Sequence, residues 1–294
     1  MTGIAVPRRI VIGRLALAGL AVIGALAGLG VVWIRLMSDP LGDAQAYYDA
    51  ANRLNAGLAL YPPDADPDGN RIYLYPPLLA IALRPLALLP YPAFALVWEG
   101  LVIASFALLL DRLGLNRRTT WLALGILGIP VGWALAIAQA HVPLTLLLAL
   151  SQPWSIALAA NIKIFPALAA VYWLGRRDSR SCIAFLVWLV VLGLMQLAIE
   201  PEATRSFFAS VGLAQLGHVR NISPFVVSPI LWALLLIAGT VVAVRLAPSR
   251  WGWFAAVALA TLSSPRLLVY MLMGLLAGLR RPRASDEVAA DKER

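Results

Sequence analysis

Long apolar runs, separated by short polar or proline-containing stretches, dominate this chain. Ten runs stand out, and several are shorter than the roughly 20 residues that a helix needs to cross the hydrocarbon of a bilayer. They cover residues 10–34, 75–89, 93–110, 119–138, 141–152, 155–174, 181–199, 226–246, 251–264 and 266–279. Tyrosine and tryptophan cluster near the ends of these runs, as interfacial anchors do. The pattern predicts an all-α polytopic membrane protein, a bundle of about ten transmembrane or partly embedded helices.

The shortest runs allow two interpretations. The run 75–89 begins at Pro76 and Pro77, and the run 141–152 is stopped by Pro153. Such segments are either half-helices around a cavity or helices that cross a locally thin part of the membrane. The sequence leaves both interpretations open.

Composition supports the membrane assignment. The 294 residues are 61% hydrophobic and 13% charged, whereas a soluble domain is about half apolar and about one quarter charged. The first run follows Arg8 and Arg9 but is longer than the apolar core of a signal peptide, so we interpret it as an uncleaved first span. We expect one multi-span domain over residues 1–280, and a cytoplasmic tail, residues 281–294, whose composition is typical of disorder.

Arginine at the ends of the runs predicts the orientation. The flanks 1–9, 175–180 and 280–294 are arginine-rich, which places both termini in the cytoplasm and provides no nucleic-acid-binding face. Alanine-rich, lysine-poor composition indicates a GC-rich bacterium and therefore a bacterial plasma membrane. If every run spans, the outer face carries the loops 35–74, 111–118, 153–154 and 200–225 and the turn 263–266. The three arginines within 111–118 argue against placing that loop outside.

The polar segment after the first run carries the leading catalytic candidate. Asp43, Tyr47 and Ala50 fall at helical spacing, in a first extracytoplasmic loop expected to bear short interfacial helices, and Asp39 is placed to cap that helix. A carboxylate that is partly desolvated beside aromatic rings can have its pKa raised into the range of a general base. Alternatively, Asp43 is one more capping or solvated loop residue. We expect Asp49 to face water.

The acidic loop that follows is a weak candidate for a metal site. Asp64, Asp66 and Asp68 alternate along it, a spacing that can ligate a divalent cation. No glutamate follows at the calcium-loop distance, and the surrounding prolines favour an exposed turn. We therefore predict no metal site. The single cysteine, Cys182, excludes an internal disulfide and a cysteine metal site.

Polar residues in and between the later runs are candidates for contacts with a substrate. Gln139 and His141 lie at a junction between runs, where they either contact a substrate or form a hydrogen-bonded turn. Lys163 lies far inside its run. A lysine there is costly unless it faces a partner or a cavity, or extends to the interface. An anionic phosphate on a lipid carrier would satisfy its charge.

The polar loop 200–225 and a later turn add further cations. The loop ends with His218, Arg220 and Asn221, and Arg266 lies between the last two runs. Arginine binds phosphate through two parallel hydrogen bonds, so each arginine is either a phosphate ligand or an anchor to lipid headgroups. The sequence has no glycine-rich phosphate loop and no nucleotide-binding domain. Any donor should therefore arrive through the membrane.

The order of these motifs resembles glycosyltransferase family 87, the polyprenyl-phosphate-mannose-dependent mannosyltransferases of the GT-C fold. The matching pieces are Asp-x-x-x-Tyr-Tyr-x-Ala-Ala from Asp43, Gly-x-x-x-Tyr from Gly57, Tyr-x-Tyr-Pro-Pro from Tyr73, Ala-Gln-Ala-His from Ala138, Lys-Ile-Phe-Pro from Lys163, Asn-Ile-Ser from Asn221 and the Ser-Pro before Arg266. The resemblance covers most of residues 33–280. Ala138 and His141 stand where the family pattern has glycine and asparagine, and Arg266 stands where histidine is common.

The resemblance implies a GT-C-like bundle and a membrane glycosyltransferase. Such an enzyme moves a mannosyl, or another hexosyl or pentosyl, group from a polyprenyl-phosphate donor to a hydroxyl of a membrane glycolipid or glycan. It implies inversion at the anomeric carbon with Asp43 as general base, an active site on the extracytoplasmic face, and no cofactor. Cations stabilise the departing lipid phosphate, with Lys163 and Arg266 first and His218 and Arg220 behind them. The other expected substrate contacts are Asn221, Gln139, Tyr47 and Tyr75.

Functions without catalysis stay open at this point. A flippase-like or degenerate binding protein for polyprenyl-phosphate sugars would need the cations but not Asp43. A structural subunit of a cell-envelope complex would depend on none of these residues individually. A secondary ion transporter is disfavoured, because few carboxylates lie in the middle of a run.

Overall fold

The computed structural model describes residues 8–62, 69, 71–211 and 220–280, and the regular elements in these ranges are helices. The α-helices are α1 (Arg8–Ser38), α2 (Gly42–Asn55), α3 (Pro77–Leu83), α4 (Tyr91–Leu113), α5 (Arg118–Ile126), α6 (Gly128–Ala136), α7 (His141–Leu150), α8 (Pro153–Ile162), α9 (Val171–Gly175), α10 (Ser179–Ile199), α11 (Pro201–Ser206), α12 (Pro229–Leu246) and α13 (Gly252–Leu262). Shorter 3-10 helices cover Leu86–Leu88, Phe165–Ala170 and Pro224–Val226, a longer one covers Val269–Leu279, and a π-helical turn covers Phe207–Val211. The predicted all-α class is confirmed.

Within the described residues, four helices are long and apolar enough to cross a membrane. They are α1 from Gly13 to Ser38, α4, α10 and α12. Helices α5 and α6 meet at a bend of 71° and would together make a fifth span. The predicted runs at 141–152, 155–174, 251–264 and 266–279 contain shorter apolar helices instead. The chain is therefore a membrane protein whose long helices are fewer than its apolar runs.

The short helices and one face of α4 occupy the interior, and the other three long helices lie around them. The largest fully buried side chains include Tyr47 of α2, Leu144 and Leu148 of α7, Ile156 of α8 and Met273 near the C-terminus. By contrast, α1, α10 and α12 expose most of their apolar side chains. A helix enclosed by protein need not match the bilayer thickness, provided that its end groups find partners. This arrangement favours the half-helix interpretation of the short runs.

Buried amides satisfy such helix ends. Gln196 of α10 accepts a hydrogen bond from the Leu78 backbone amide at the start of α3 (2.9 Å). Its amide nitrogen donates to the side-chain oxygen Oδ1 of Asn161 at the end of α8 (2.6 Å). One glutamine on a lipid-facing span thereby holds the ends of two interior helices.

Close glycine contacts pack α1 against α5 and α6. A β-carbon on Gly24 would collide with the carbonyl of Gly125, and one on Gly28 would collide with the carbonyl of Gly128. Further along, a β-carbon on Gly132 would meet the Gly28 carbonyl oxygen at 2.5 Å. Because the contacts advance together along both segments, α1 runs parallel to the α5–α6 pair. Small residues allow this approach of backbones inside a membrane.

The parallel packing corrects the predicted position of the loop 111–118. The start of α5 at Arg118 lies at the same end of the bundle as the start of α1, whereas the loop after α1 lies at the other end. The placement of both loops on one face held only if every run spans, and this packing does not agree with it. That condition required the run 75–89 to cross the membrane, but α3 has only 7 residues and is followed by a turn of 3-10 helix. The arginines of 111–118 lie at the same end of the bundle as those in the first turns of α1.

We expect Gly24→Ala to destabilise the protein by about 1–3 kcal/mol, because the added methyl group must displace the backbone of α5. The control is Gly30→Ala on the same helix, since a β-carbon there meets nothing within 4 Å. The unfolding midpoints of both variants in detergent micelles make the comparison. Equal midpoints would contradict the proposed close approach.

Candidate active site

The start of α2 is fastened to the end of α6. Leu41, in a left-handed conformation (φ 54°), turns the chain into the helix. The backbone amides of Leu41 and Asp43 donate to the carbonyls of Ala136 and Ile137, each at 3.2 Å. These carbonyls satisfy amides that a side-chain cap would otherwise serve. The prediction that Asp39 caps α2 is therefore wrong.

Asp39 instead forms an ion pair with Arg71. Its Oδ1 lies 3.0 Å from Nη2 of Arg71. Both side chains remain substantially exposed, so the pair adds little to stability. It does place a second carboxylate near Asp43.

The helical face predicted for α2 is confirmed. Tyr47, Ala50 and Ala51 are buried, and Asp43 is half-buried one turn before Tyr47. Asp49 is exposed and accepts a hydrogen bond from Gln45 (2.8 Å), as expected for a residue that faces water. The alternative that Asp43 is a solvated loop residue does not hold.

The turn between α6 and α7 places Gln139 beside Asp43. Ala138 adopts a positive φ of 53°, which favours glycine, and Trp98 Nε1 donates to its carbonyl oxygen (2.8 Å). The Gln139 side chain is 1% exposed, and its Nε2 donates to Oδ2 of Asp43. Its Oε1 accepts hydrogen bonds from the hydroxyls of Tyr47 and Tyr75, both at 2.6 Å. Gln139 thus links the three polar side chains of this part of the site.

His141 lies behind this turn, away from Asp43. The ring is buried, and its Nε2 is 3.0 Å from the carbonyl oxygen of Met271. Its own carbonyl accepts a hydrogen bond from Thr145 (2.7 Å). These contacts support the interpretation of a hydrogen-bonded turn.

Lys163 occupies a break between two helices. Its extended backbone (φ −150°, ψ 125°) separates α8 from the 3-10 helix Phe165–Ala170. The ammonium nitrogen is 3.1 Å from the sulfur of Met271 and 5.8 Å from the centre of the Tyr75 ring. A thioether is a weak acceptor, and an ammonium has three N–H groups to place. Lys163 also lines the cavity described below, which agrees with the alternative of a lysine that faces a cavity.

A short loop pairing positions Arg220 and Arg266. The Asn221 side chain donates to the Pro265 carbonyl (2.8 Å) and accepts from the Leu267 backbone amide (2.9 Å). These bonds connect Asn221, which follows Arg220, to Pro265 and Leu267, which flank Arg266. Asn221 therefore fastens two loops of the site together. His218 lies outside the described residues.

The catalytic candidates share one cavity of about 200 Å³. Its polar walls include Asp39, Asp43, Tyr47, Tyr75, Gln139 and Tyr270, together with the cations Arg35, Arg71, Lys163, Arg220 and Arg266. Within the part of the chain that the structure describes, cations outnumber carboxylates on these walls. The cavity lies at the end of α1, where Arg35 forms part of its wall. It suits an anionic group that reaches a carboxylate.

Several wall residues were missed by the sequence analysis, namely Arg35, Asp39 as a wall residue, Arg71, Trp133 and Tyr270. The guanidinium of Arg35 lies 4.4 Å from the centre of the Trp133 ring, at the end of α1. A signal was available, because Arg35, Asp39 and Asp43 recur at intervals of four residues. Arg71 has no such signal, since its position depends on a loop.

Burial, followed by the repulsion of the nearby Asp39 carboxylate, raises the pKa of Asp43 from 3.8 to about 7. Lys163, the hydrogen bond from Gln139 and Arg35 oppose this shift. A carboxylate with a pKa near neutrality can take a proton from a hydroxyl during a reaction. The electrostatics of the site thus suit a general base.

The predicted absence of a metal site in the acidic loop stays a prediction. Asp64, Asp66 and Asp68 lie outside the described residues. Elsewhere, in the ranges that the structure describes, no three side chains of histidine, cysteine, aspartate or glutamate converge as a metal site would require.

Comparison with known proteins gives one family match and two curated relatives. The model of glycosyltransferase family 87 matches residues 73–290, so Asp43 precedes the matched range. A polyprenol-phosphate-mannose-dependent alpha-(1-2)-phosphatidylinositol pentamannoside mannosyltransferase of Mycolicibacterium smegmatis is 32% identical over 213 residues, which cover 66% of this chain and 52% of the relative. The protein of the same description from Mycobacterium tuberculosis is 26% identical over 215 residues, which cover 63% of this chain and 47% of the relative. No solved structure matches the chain.

Proposed function

Because this chain belongs to glycosyltransferase family 87, we propose that it transfers a mannosyl group from a polyprenyl-phosphate donor to a hydroxyl of a membrane glycolipid or glycan. Both relatives carry a name that specifies polyprenol-phosphate-mannose as donor. The chain spans about half the length of these relatives. The proposal therefore also rests on the site itself.

One observation carries the proposal: Asp43 and the two cations Lys163 and Arg266 line the same cavity. A glycosyl transfer needs a base for the attacking hydroxyl and positive charge for the leaving phosphate. The cavity offers both at the end of a membrane-spanning helix, where a lipid-borne phosphate can enter from the side.

In the proposed reaction, Asp43 accepts the proton of the acceptor hydroxyl as its oxygen attacks the anomeric carbon. The new carbon–oxygen bond forms as the bond between the anomeric carbon and the phosphate oxygen breaks, and the bonding electrons leave with the phosphate. Attack from the face opposite the leaving group inverts the anomeric configuration. A β-linked donor would thus give an α-linked product.

Lys163 and Arg266 would stabilise the charge that develops on the lipid phosphate. Arginine offers paired donors, and the lysine ammonium has donors beyond its contact with Met271. With these cations in place, we propose that the reaction needs no resident cofactor. Arg220 would support them from the loop that Asn221 fastens.

The remaining cations of the cavity indicate which class of acceptor to test. Arg35 and Arg71 line the same cavity as Asp39. In the sequence they lie closer to Asp39 than to Lys163. The relatives' names specify a phosphatidylinositol mannoside as acceptor. We propose an anionic glycolipid of this kind as the first acceptor to test.

The proposed setting is a bacterial plasma membrane. Arginines lie in the first residues of α1 and just before α5, and the cavity lies at the opposite end of these helices, which supports cytoplasmic termini and an extracytoplasmic site. We propose that residues 1–280 form one GT-C-like domain. In it, the shorter apolar helices are partly embedded and bring the total to about ten. The tail, residues 281–294, lies outside the described residues, and its disorder stays a prediction.

Product analysis tests the function directly. Purified protein in lipid nanodiscs would be incubated with radiolabelled polyprenyl-phosphate mannose and with phosphatidylinositol mannosides or a total bacterial lipid extract. We expect a labelled glycolipid whose mannose is removed by an α-mannosidase. Binding of the donor without any transfer would overturn the proposal and support a non-catalytic carrier protein.

The rate of transfer is expected to rise with pH on the acid side. Asp43 acts as a base only when ionised, so with a pKa of about 7 the rate should fall about tenfold per pH unit below neutrality. Burial lowers the pKa of Lys163 to about 7, so loss of its charge should lower the rate again at alkaline pH. Asp39→Asn removes a charge that raises this pKa. The acid limb of kcat/KM should therefore move to lower pH in that variant. An unchanged limb would contradict the electrostatic role of Asp39.

A further inference from the structure

We propose that Gln139 is a positioning residue for Asp43, holding one carboxylate oxygen so that the other faces the acceptor hydroxyl. This inference rests on the proposed function for its catalytic consequence, but its geometric basis does not depend on the donor. It differs from the expectation that Gln139 contacts a substrate.

The surroundings of Gln139 determine how its amide is oriented. Two phenol hydroxyls, from Tyr47 and Tyr75, lie 2.6 Å from the same amide atom. The hydroxyl of Tyr47 also accepts from the Ala140 backbone amide (3.1 Å), and its own proton has Gln139 as the near acceptor, since the Tyr75 hydroxyl is farther away (3.4 Å). That atom is therefore the amide oxygen. The reverse orientation would place this oxygen against the Asp43 carboxylate, where both atoms are acceptors.

With its oxygen fixed by the tyrosines, the amide nitrogen must point at Asp43. It donates to Oδ2, and in the described residues Oδ1 makes no hydrogen bond. A hydrogen bond from a neutral donor favours the ionised carboxylate. Asp43 lines the cavity, so the oxygen without a hydrogen bond is the atom left to receive a proton.

The group formed by Tyr47, Tyr75 and Gln139 is rigid because each of these side chains lies on a different segment of the chain. Tyr47 lies on α2, and Tyr75 precedes α3. Gln139 is 1% exposed, in a turn clamped by Trp98 of α4. Rotation of Asp43 would break its bond to this turn, so a substrate does not have to orient the base.

Charged groups on other elements also affect the titration of Asp43, and their effect must be distinguished from that of Gln139. Arg35 approaches from α1, Asp39 from the turn before α2, and Lys163 from the break after α8. Arg266 lines the same cavity from the last turn. A change at Gln139 leaves all four in place, so a shift in the titration of Asp43 can be assigned to the lost hydrogen bond.

The first test replaces the amide with a side chain of similar size, Gln139→Met. The acid limb of kcat/KM should move about one unit to higher pH, because the carboxylate loses a stabilising donor. The transfer rate at pH 7 should fall about tenfold. The KM for the donor should stay within about twofold. A raised KM with an unmoved limb would overturn the inference and indicate contact with a substrate.

The control is Gln196→Met. Gln196 is likewise buried and hydrogen-bonded at both ends of its amide, but its partners are Leu78 and Asn161. We expect it to lower the unfolding midpoint without moving the acid limb. An equal shift of the limb in both variants would mean that Gln139 acts only through stability, which overturns the inference.

A second readout needs no transferase activity. Carbodiimides react with protonated carboxyl groups, and Asp49, exposed on the same helix, serves as an internal reference. The ratio of Asp43 to Asp49 labelling, measured by mass spectrometry against pH, should have a midpoint that rises in Gln139→Met. A smaller rise is expected in Tyr75→Phe, which removes one of the two hydroxyls that fix the amide. An unchanged midpoint in both variants would overturn the inference.

The two readouts separate the two proposals. If wild-type protein fails to transfer mannose but the labelling midpoint moves in Gln139→Met, the proposed function fails and the positioning role stands. If transfer occurs and neither the limb nor the midpoint moves, the positioning role alone fails.

Discussion

Asp43→Asn is expected to lower the rate of mannosyl transfer by about 10³-fold, because the amide cannot accept the proton of the acceptor hydroxyl. The shape of the site should survive the change. Asparagine fills the same volume, and the backbone amide of residue 43 still donates to the Ile137 carbonyl. Binding of radiolabelled polyprenyl-phosphate mannose to nanodisc-embedded protein should therefore stay within about twofold of wild type.

The matched control for this change is Asp49→Asn. Asp49 lies on the same helix, is exposed, and bonds only to Gln45 in the described residues. It should transfer mannose at the wild-type rate. If Asp43→Asn kept most of its activity, another base would have to serve, and the mechanism proposed for this cavity would be wrong.

Lys163→Met is expected to lower kcat/KM by about 10²-fold, through loss of the charge that faces the departing phosphate. Methionine keeps the length and the apolar stem of the side chain, so the contact with Met271 can be replaced by packing. Because the phosphate is charged in both the ground state and the transition state, donor affinity should fall as well. Single-turnover rates and equilibrium binding of the donor would separate the two effects.

Two further variants sharpen this result. Lys163→Arg keeps the charge but changes the geometry of donation, so we expect an intermediate loss. Arg205→Gln removes a cation that pairs with Glu202 at the exposed surface, and should have no effect. Wild-type kinetics in Lys163→Met would show that the phosphate binds elsewhere in the cavity.

The sequence predicted the catalytic segment because local rules determine it. The spacing of Asp43, Tyr47 and Ala50 identifies one helical face, and the structure buries that face as expected. Lys163 was recognised because a lysine inside an apolar run needs a partner. In each case a single residue and its neighbours carried the signal.

Positions that depend on tertiary contacts could not be predicted. Hydrophobic periodicity gave one run over 155–174, but the helix breaks at Lys163 and resumes at Phe165. The cap expected from Asp39 is replaced by carbonyls of α6, nearly one hundred residues away. The bond between Gln139 and Asp43 likewise joins distant segments. No pattern within a short window contains these pairings.

The glycine contacts between α1 and the α5–α6 pair affect more than the stability of the protein. Helix α2 is fastened to the last carbonyls of α6, and α6 is itself pressed against α1 without intervening side chains. The position of the proposed base therefore depends on a helix–helix contact that lies many residues away from the chemistry. A substitution that widens this contact should displace the carboxylate as well, even though these glycines never meet a sugar.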